Sequence, residues 1–171
     1  MSVGSGLYAG KIDCLVSKLV DGVRWLEVLV RHELFDVTRE IRLWCLILNT
    51  DPKNQAGTHR LALTASLYGG IELFDSFGFF SSVYSLDFID YLRSCFSFQS
   101  PSTSVCCHYC IVYIYLRSPN YSLSDIVYFH TNISSRDLWI EQYIYNLQIR
   151  LRILNSCFRT NQSCKLQCQF C

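Results

Sequence analysis

The chain has 171 residues, half of them apolar and 17% charged, with a formal net charge of +1. That length fits one domain over residues 1–171 with a substantial core, and so apolar a composition excludes a disordered polymer. The near-neutral balance supplies no field that would by itself indicate DNA or a membrane surface as a partner.

Residues 1–10 lack the basic-then-apolar order of a secretory signal, and no apolar run approaches the roughly 20 residues that span a bilayer. The expected setting is therefore intracellular and reducing, in cytoplasm or nucleus. The ten cysteines (14, 45, 95, 106, 107, 110, 157, 164, 168 and 171) are expected as thiols rather than as a disulfide framework.

In chain order, Ile12, Leu15, Val16, Leu19, Val20, Val23 and Leu26 recur at helical spacing, which predicts one or two helices over residues 11–34 interrupted at Gly22. Residues 42–49 form a short apolar run closed by Asn49-Thr50-Asp51-Pro52, which predicts a buried strand. A second strand is predicted at 59–67, a turn at Gly69-Gly70 and a third strand at 71–74, together an antiparallel meander. Residues 84–93 carry Leu86, Ile89 and Leu92 at helical spacing, and 96–99 is a candidate strand. After the polar loop 100–104, residues 105–116 are apolar on nearly every face, as in a helix buried all round. Ser118-Pro119-Asn120 ends it, Ser122 to Asp125 caps a short helix, and 134–154 reads as an amphipathic helix before the cysteine-rich tail 155–171.

A cysteine nucleophile needs a base, a field that favours thiolate, and donors aimed at an oxyanion. Cys106 opens the buried helix, where unpaired N–H groups and the helix dipole favour an anion. His59 begins one predicted strand and Asp75 ends the next, so a hairpin would let the carboxylate orient the imidazole. Gln99 ends a short segment ahead of Cys106 and offers an amide N–H beside the backbone N–H of Cys106. Singly these residues would read as a strand-end histidine, a turn aspartate and core cysteines; their order carries the signal.

With Ile47-Leu48-Asn49-Thr50-Asp51-Pro52, Gly57-Thr58-His59, Leu73-Phe74-Asp75-Ser76-Phe77-Gly78, Gln99-Ser100-Pro101 and Val105-Cys106-Cys107-His108-Tyr109-Cys110 in this order, the chain resembles the adenain family, the adenovirus-type cysteine proteases with relatives in Maverick/Polinton elements and adintoviruses. The resemblance covers roughly residues 44–116. It implies an α+β, papain-like fold with a central helix against a mostly antiparallel sheet. It also implies a thiol endopeptidase with Cys106 as nucleophile, His59 as base, Asp75 as its acidic partner and Gln99 as oxyanion donor. The register selects Cys106 over Cys107, because the family places a cysteine at the position of Cys110 and the glutamine at that of Gln99. The implied partners are protein or peptide substrates of the viral structural-precursor kind, in the cell or the virion. No cofactor is implied beyond an activating peptide. Proteases of SUMO- and ubiquitin-like modifiers share this order of groups, and an inactive copy acting as a binding module is the reading from another class.

Two residues depart from the family pattern. Arg60 replaces the tryptophan after the histidine, and its cation is expected to oppose an imidazolium while favouring a thiolate. Cys107 replaces a glycine and is expected to crowd an extended substrate. As for metals, Cys106, Cys107, His108 and Cys110 are spaced too tightly for paired zinc knuckles. Cys157, Cys164, Cys168 and Cys171 lack two matched knuckles, so no metal ligand is assigned and zinc in the tail stays open.

Overall fold

The computed structural model of the protein describes residues 9–20, 22–30, 43–51, 58–65, 70–79, 81–84, 97–119, 121–122, 124–126 and 133–159. The fold is α+β. Its elements run α1 (Ala9–Leu19), β1 (Arg24–Val30), β2 (Trp44–Asn49), β3 (Arg60–Ala65), β4 (Ile71–Phe74), a 3-10 turn (Ser81–Tyr84), α2 (Cys106–Arg117) and α3 (Arg136–Arg159). The four strands form one sheet in the order β1-β2-β3-β4. β2, β3 and β4 make the expected antiparallel meander, while β1 lies parallel to β2, so the sheet is mixed.

The first element departs from the helical expectation over 11–34. The Ile12, Leu15, Val16 stripe does form a helix, but α1 ends at Leu19 and Gly22 takes φ 73°, a left-handed conformation that glycine adopts without a Cβ clash. The chain then enters β1. A strand apolar on both sides has no period of two, so Trp25, Leu26, Val28 and Leu29 merge with the preceding helical pattern when read by periodicity alone. Residues 31–34 lie outside the described residues.

Both faces of the sheet are apolar. Cys45, Ile47, Ala62 and Phe74 pack with α1, α2 and α3, whereas Trp44, Leu46, Leu48, Leu61, Leu63 and Leu73 form a second cluster. The alternation follows from the strand pleat, which sends successive side chains to opposite faces. α2 lies in the first cluster with eight of its twelve residues buried, and Ser118-Pro119 closes it because proline offers no N–H to continue the ladder. On α3, Ile140, Ile144 and Leu147 supply the inward stripe.

β3 and α2 run the same way. Arg60 O accepts from Cys110 Sγ at 3.3 Å, near the start of both elements, and Thr64 Oγ1 meets the Tyr113 hydroxyl at 3.4 Å, near the end of β3. Glu72 anchors that far end: its carboxylate takes a bidentate pair from Arg117 at 2.8 and 2.7 Å and a hydrogen bond from the Tyr113 hydroxyl at 2.9 Å. A fork of this kind is charge-assisted and fixes geometry as well as adding energy.

Two further expectations changed in detail. Residues 97–99 are not a strand; Phe98 N and Gln99 N both donate to Ser76 O, at 2.8 and 3.0 Å. A single carbonyl thus takes the place of a ladder. Of the helix expected over 84–93, Tyr84 instead closes the 3-10 turn and 85–93 lie outside the described residues. The cap at Ser122 did form: Asp125 N donates to Ser122 Oγ at 3.1 Å while Ser122 N donates to Asp125 Oδ2 at 3.0 Å. Among the described residues no helix is long and apolar enough to cross a membrane.

The Glu72 network gives the first prediction. Arg117→Met should leave a buried carboxylate held only by hydroxyls, costing about 2–4 kcal/mol in urea unfolding, since breaking one partner of a buried pair exposes the desolvation of the other. Tyr113→Phe should cost about 1 kcal/mol, the usual net value of one hydrogen bond.

Candidate active site

The β3–β4 hairpin builds one half of the site. Its register pairs Ala62 with Phe74, and continued past the strand ends it sets His59 beside Phe77, whose rings lie 4.7 Å apart between centroids. Between these positions falls Asp75, buried at 3% exposure. The turn after it is closed by Gly78 N donating to Asp75 O at 3.1 Å, with Gly78 at φ 75°. There the left-handed conformation needs the glycine.

Asp75 is fully engaged. Oδ1 lies 2.7 Å from His59 Nε2 and accepts from Phe77 N at 2.8 Å; Oδ2 accepts from Phe79 N at 3.0 Å and from the Tyr84 hydroxyl at 2.8 Å. A buried carboxylate requires such donors. His59 is held as tightly: Thr50 N and Thr50 Oγ1 both donate to its carbonyl at 3.1 Å, and Tyr84 stacks over its ring at 5.9 Å. With Nε2 committed to Asp75, Nδ1 is the nitrogen left for other chemistry. It is buried and lacks a conventional hydrogen-bond partner.

The other half is the start of α2. Val105 precedes the helix without a side-chain cap, so the first N–H groups of α2 are not satisfied by a capping side chain. Cys106 is the first helical residue, buried at 6% exposure, and the group it couples to is His59. Burial by itself would push the Cys106 thiol up. The His59 imidazole, the Arg60 backbone N–H and the Arg60 charge outweigh it and bring the thiol below its ordinary value of 9.0. Burial likewise works against the His59 imidazolium, yet Asp75 and then Cys106 carry His59 up to about 9 from its ordinary 6.5. Opposite charges thus favour each other at Cys106 and His59.

The buried thiols near Cys106 go the other way. Burial pushes Cys45 and Cys107 up to about 12 and raises Cys110 well above the ordinary value. Among the described residues, Cys14, Cys45, Cys106, Cys107 and Cys110 are all free, and no group of three or more metal-ligating side chains is able to hold an ion. Cys164, Cys168 and Cys171 lie outside the described residues.

Gln99, 3% exposed, is fixed at both ends of its amide: Oε1 accepts from Ser76 Oγ and Nε2 donates to Thr103 O, each at 2.7 Å. These contacts tie it to the residue after Asp75 and to the loop entering α2, and one Nε2 hydrogen remains beyond the Thr103 bond. The structure therefore brings Cys106, His59 and Asp75 together and attaches Gln99 to both halves.

Several supporting residues escaped the sequence reading. Asp137, in the first turn of α3, accepts from Ser100 N at 3.0 Å and Thr103 Oγ1 at 2.8 Å, and lies 2.8 Å from the Tyr109 hydroxyl. It pins the Gln99 loop. An acid in a first helical turn is a legible dipole feature, but its three partners are not. Tyr84 sits at no recognisable spacing from Asp75 and had no signal.

The expectation for Cys107 is overturned. Its side chain is 1% exposed and packs in the core with Tyr109, Cys110 and Ile111, so it projects inward rather than across a substrate path. The reason is that neighbouring helix positions point about 100° apart, and Cys106 takes the site-facing direction. Arg60 acts on the thiol as expected, and its opposition to the imidazolium is not among the influences that set His59.

No protein-family model matches the chain, and no curated protein matches it.

Two predictions follow from this geometry. Asp75→Asn should lower the His59 pKa from about 9, measured by NMR titration of the ring, because it removes the main influence that raises it. In the wild type, His59 contributes stability that is complete below its ordinary 6.5 and is lost as pH rises through about 9; Asp75→Asn should weaken this dependence. Cys107→Gly should destabilise by about 1–2 kcal/mol in urea unfolding, through helix propensity and lost packing, without increasing reactivity at Cys106.

Proposed function

We propose that the protein is a cysteine endopeptidase of papain-like, adenain type. The observation that carries this reading is the alignment of Cys106, at an uncapped helix start, with an imidazole whose far nitrogen is held by buried Asp75. Cys106 Sγ attacks the carbonyl carbon of a peptide bond, and the carbonyl electrons move onto oxygen. The backbone N–H of Cys106 and the remaining Nε2 hydrogen of Gln99 stabilise that oxyanion. Collapse breaks the C–N bond as His59 gives its Nδ1 proton to the amine, leaving a thioester. Water then attacks the thioester, His59 takes its proton, and the C–S bond breaks to release a carboxylate and restore the pair.

The substrate proposed is a protein precursor of the viral structural kind, with an activating peptide as the partner implied by the resemblance. The inward packing of Cys107 removes one argument for an inactive copy. A peptide library should be hydrolysed by the wild type and not by Cys106→Ala. His59→Ala should lower kcat about 10²–10⁴-fold and Gln99→Ala about 10²–10³-fold. The rate should fall above pH about 9 as the imidazolium is lost, and on the acid side as the thiol is protonated. Turnover that persists in Cys106→Ala would remove this reading, and cleavage restricted to ubiquitin-like precursors would move it to the modifier proteases.

A further inference from the structure

Arg60 opens β3 directly after His59, and its place in the pleat is fixed. It alternates with Ala62 and Thr64, which face α2: Ala62 packs in the cluster that contains α2, and Thr64 meets Tyr113. Because β3 and α2 run the same way, Arg60 stands at the helix start, and its carbonyl accepts from Cys110 Sγ at 3.3 Å. Cys110 lies one turn along α2 from Cys106. The Arg60 side chain is partly buried and acts on the Cys107 thiol as well as on Cys106, its Nε is buried without a hydrogen-bond partner, and no carboxylate among the described residues pairs with it. A partly buried guanidinium favours negative charge close to it.

We propose that Arg60 is a second, permanent cation for the Cys106 sulfur, acting beside His59, so that the nucleophile keeps thiolate character even when the imidazole is neutral. The proposal rests on the reading of Cys106 as the nucleophile and deepens it. Among the described residues, the groups facing the sulfur are few. His59 and Arg60 come from the start of β3, Cys107 and Cys110 from its own helix, and Asp75 and Tyr84 stand behind the imidazole. α1 meets α2 through Ile12, Leu15 and Val16, and Asp137 of α3 is occupied by Ser100, Thr103 and Tyr109. His108, next to Arg60, is pushed down to about 4 by burial and by the Arg60 charge, and so stays neutral. Among the described residues, His59 and Arg60 are then the cations near the sulfur.

Iodoacetamide alkylation tests this without requiring turnover. The rate is followed against pH, with mass spectrometry locating the label, in wild type, Arg60→Gln, Arg60→Lys, His59→Gln and the His59→Gln/Arg60→Gln double variant; Arg60→Met replaces Arg60→Gln if the amide disturbs packing. Arg60→Gln should move the acid-side midpoint for Cys106 up by about half a pH unit or more, a loss of about threefold in rate on the slope. Arg60→Lys should recover most of that shift, which a purely structural role would not restore. With His59→Gln in place, adding Arg60→Gln should cost at least as much, because Arg60 is then the remaining cation. Superimposed curves with and without Arg60 in both backgrounds would overturn the proposal while leaving the nucleophile in place. Label spread evenly over the cysteines of the wild type would overturn both.

Discussion

Asp75 keeps a carboxylate where only 3% of its surface meets solvent, and four donors surround it: His59 Nε2, Phe77 N, Phe79 N and the Tyr84 hydroxyl. Everything else in the site depends on that arrangement. Two of the donors come from the turn that Gly78 permits, so the β4 end and its turn are shaped around the carboxylate. The third fixes the imidazole and leaves Nδ1 as the nitrogen available to the helix. Without the buried acceptor, burial would lower His59 against the Cys106 influence alone, and the partner that most lowers the thiol would be weakened.

The helix side answers with a field assembled from weak sources. α2 is buried because its residues are apolar, not because its start is capped, and no side chain at Val105 caps the helix end that carries Cys106. The neighbouring thiols of Cys107 and Cys110 are pushed the opposite way by burial in the same helix. Within one turn of helix, His59 and Arg60 lower the Cys106 thiol while burial raises those of Cys107 and Cys110. Asp137 completes the frame from α3, holding the loop that carries Gln99 against the same helix.

The parts legible in the sequence were those with a local cause. β2, β3 and β4 follow from apolar runs bounded by turn residues, and α2 from a run apolar on every face. The hairpin that joins His59 to Asp75 followed from two such strands, which is why these residues were nameable before the fold. β1 was misread because apolar residues on both faces erase the alternation by which strands are found, and a preceding amphipathic helix lent it a false period. The direction of Cys107, and the parts played by Tyr84 and Asp137, depend on contacts between distant segments and have no local pattern. Gln99 was placed by its position ahead of Cys106 and by the family register, yet the Ser76 and Thr103 bonds that hold it belong to the tertiary structure.

The central claim is that one thiol, Cys106, is ionised through the imidazole that Asp75 holds. Thiolate absorbance in the ultraviolet, titrated in the native wild type and in Cys106→Ser, reads this most directly. The account predicts a thiolate appearing below the ordinary cysteine range in the wild type and absent from Cys106→Ser, with Cys45, Cys107 and Cys110 staying protonated to higher pH. A wild-type curve that coincides with that of Cys106→Ser throughout the range below ordinary cysteine ionisation would contradict it.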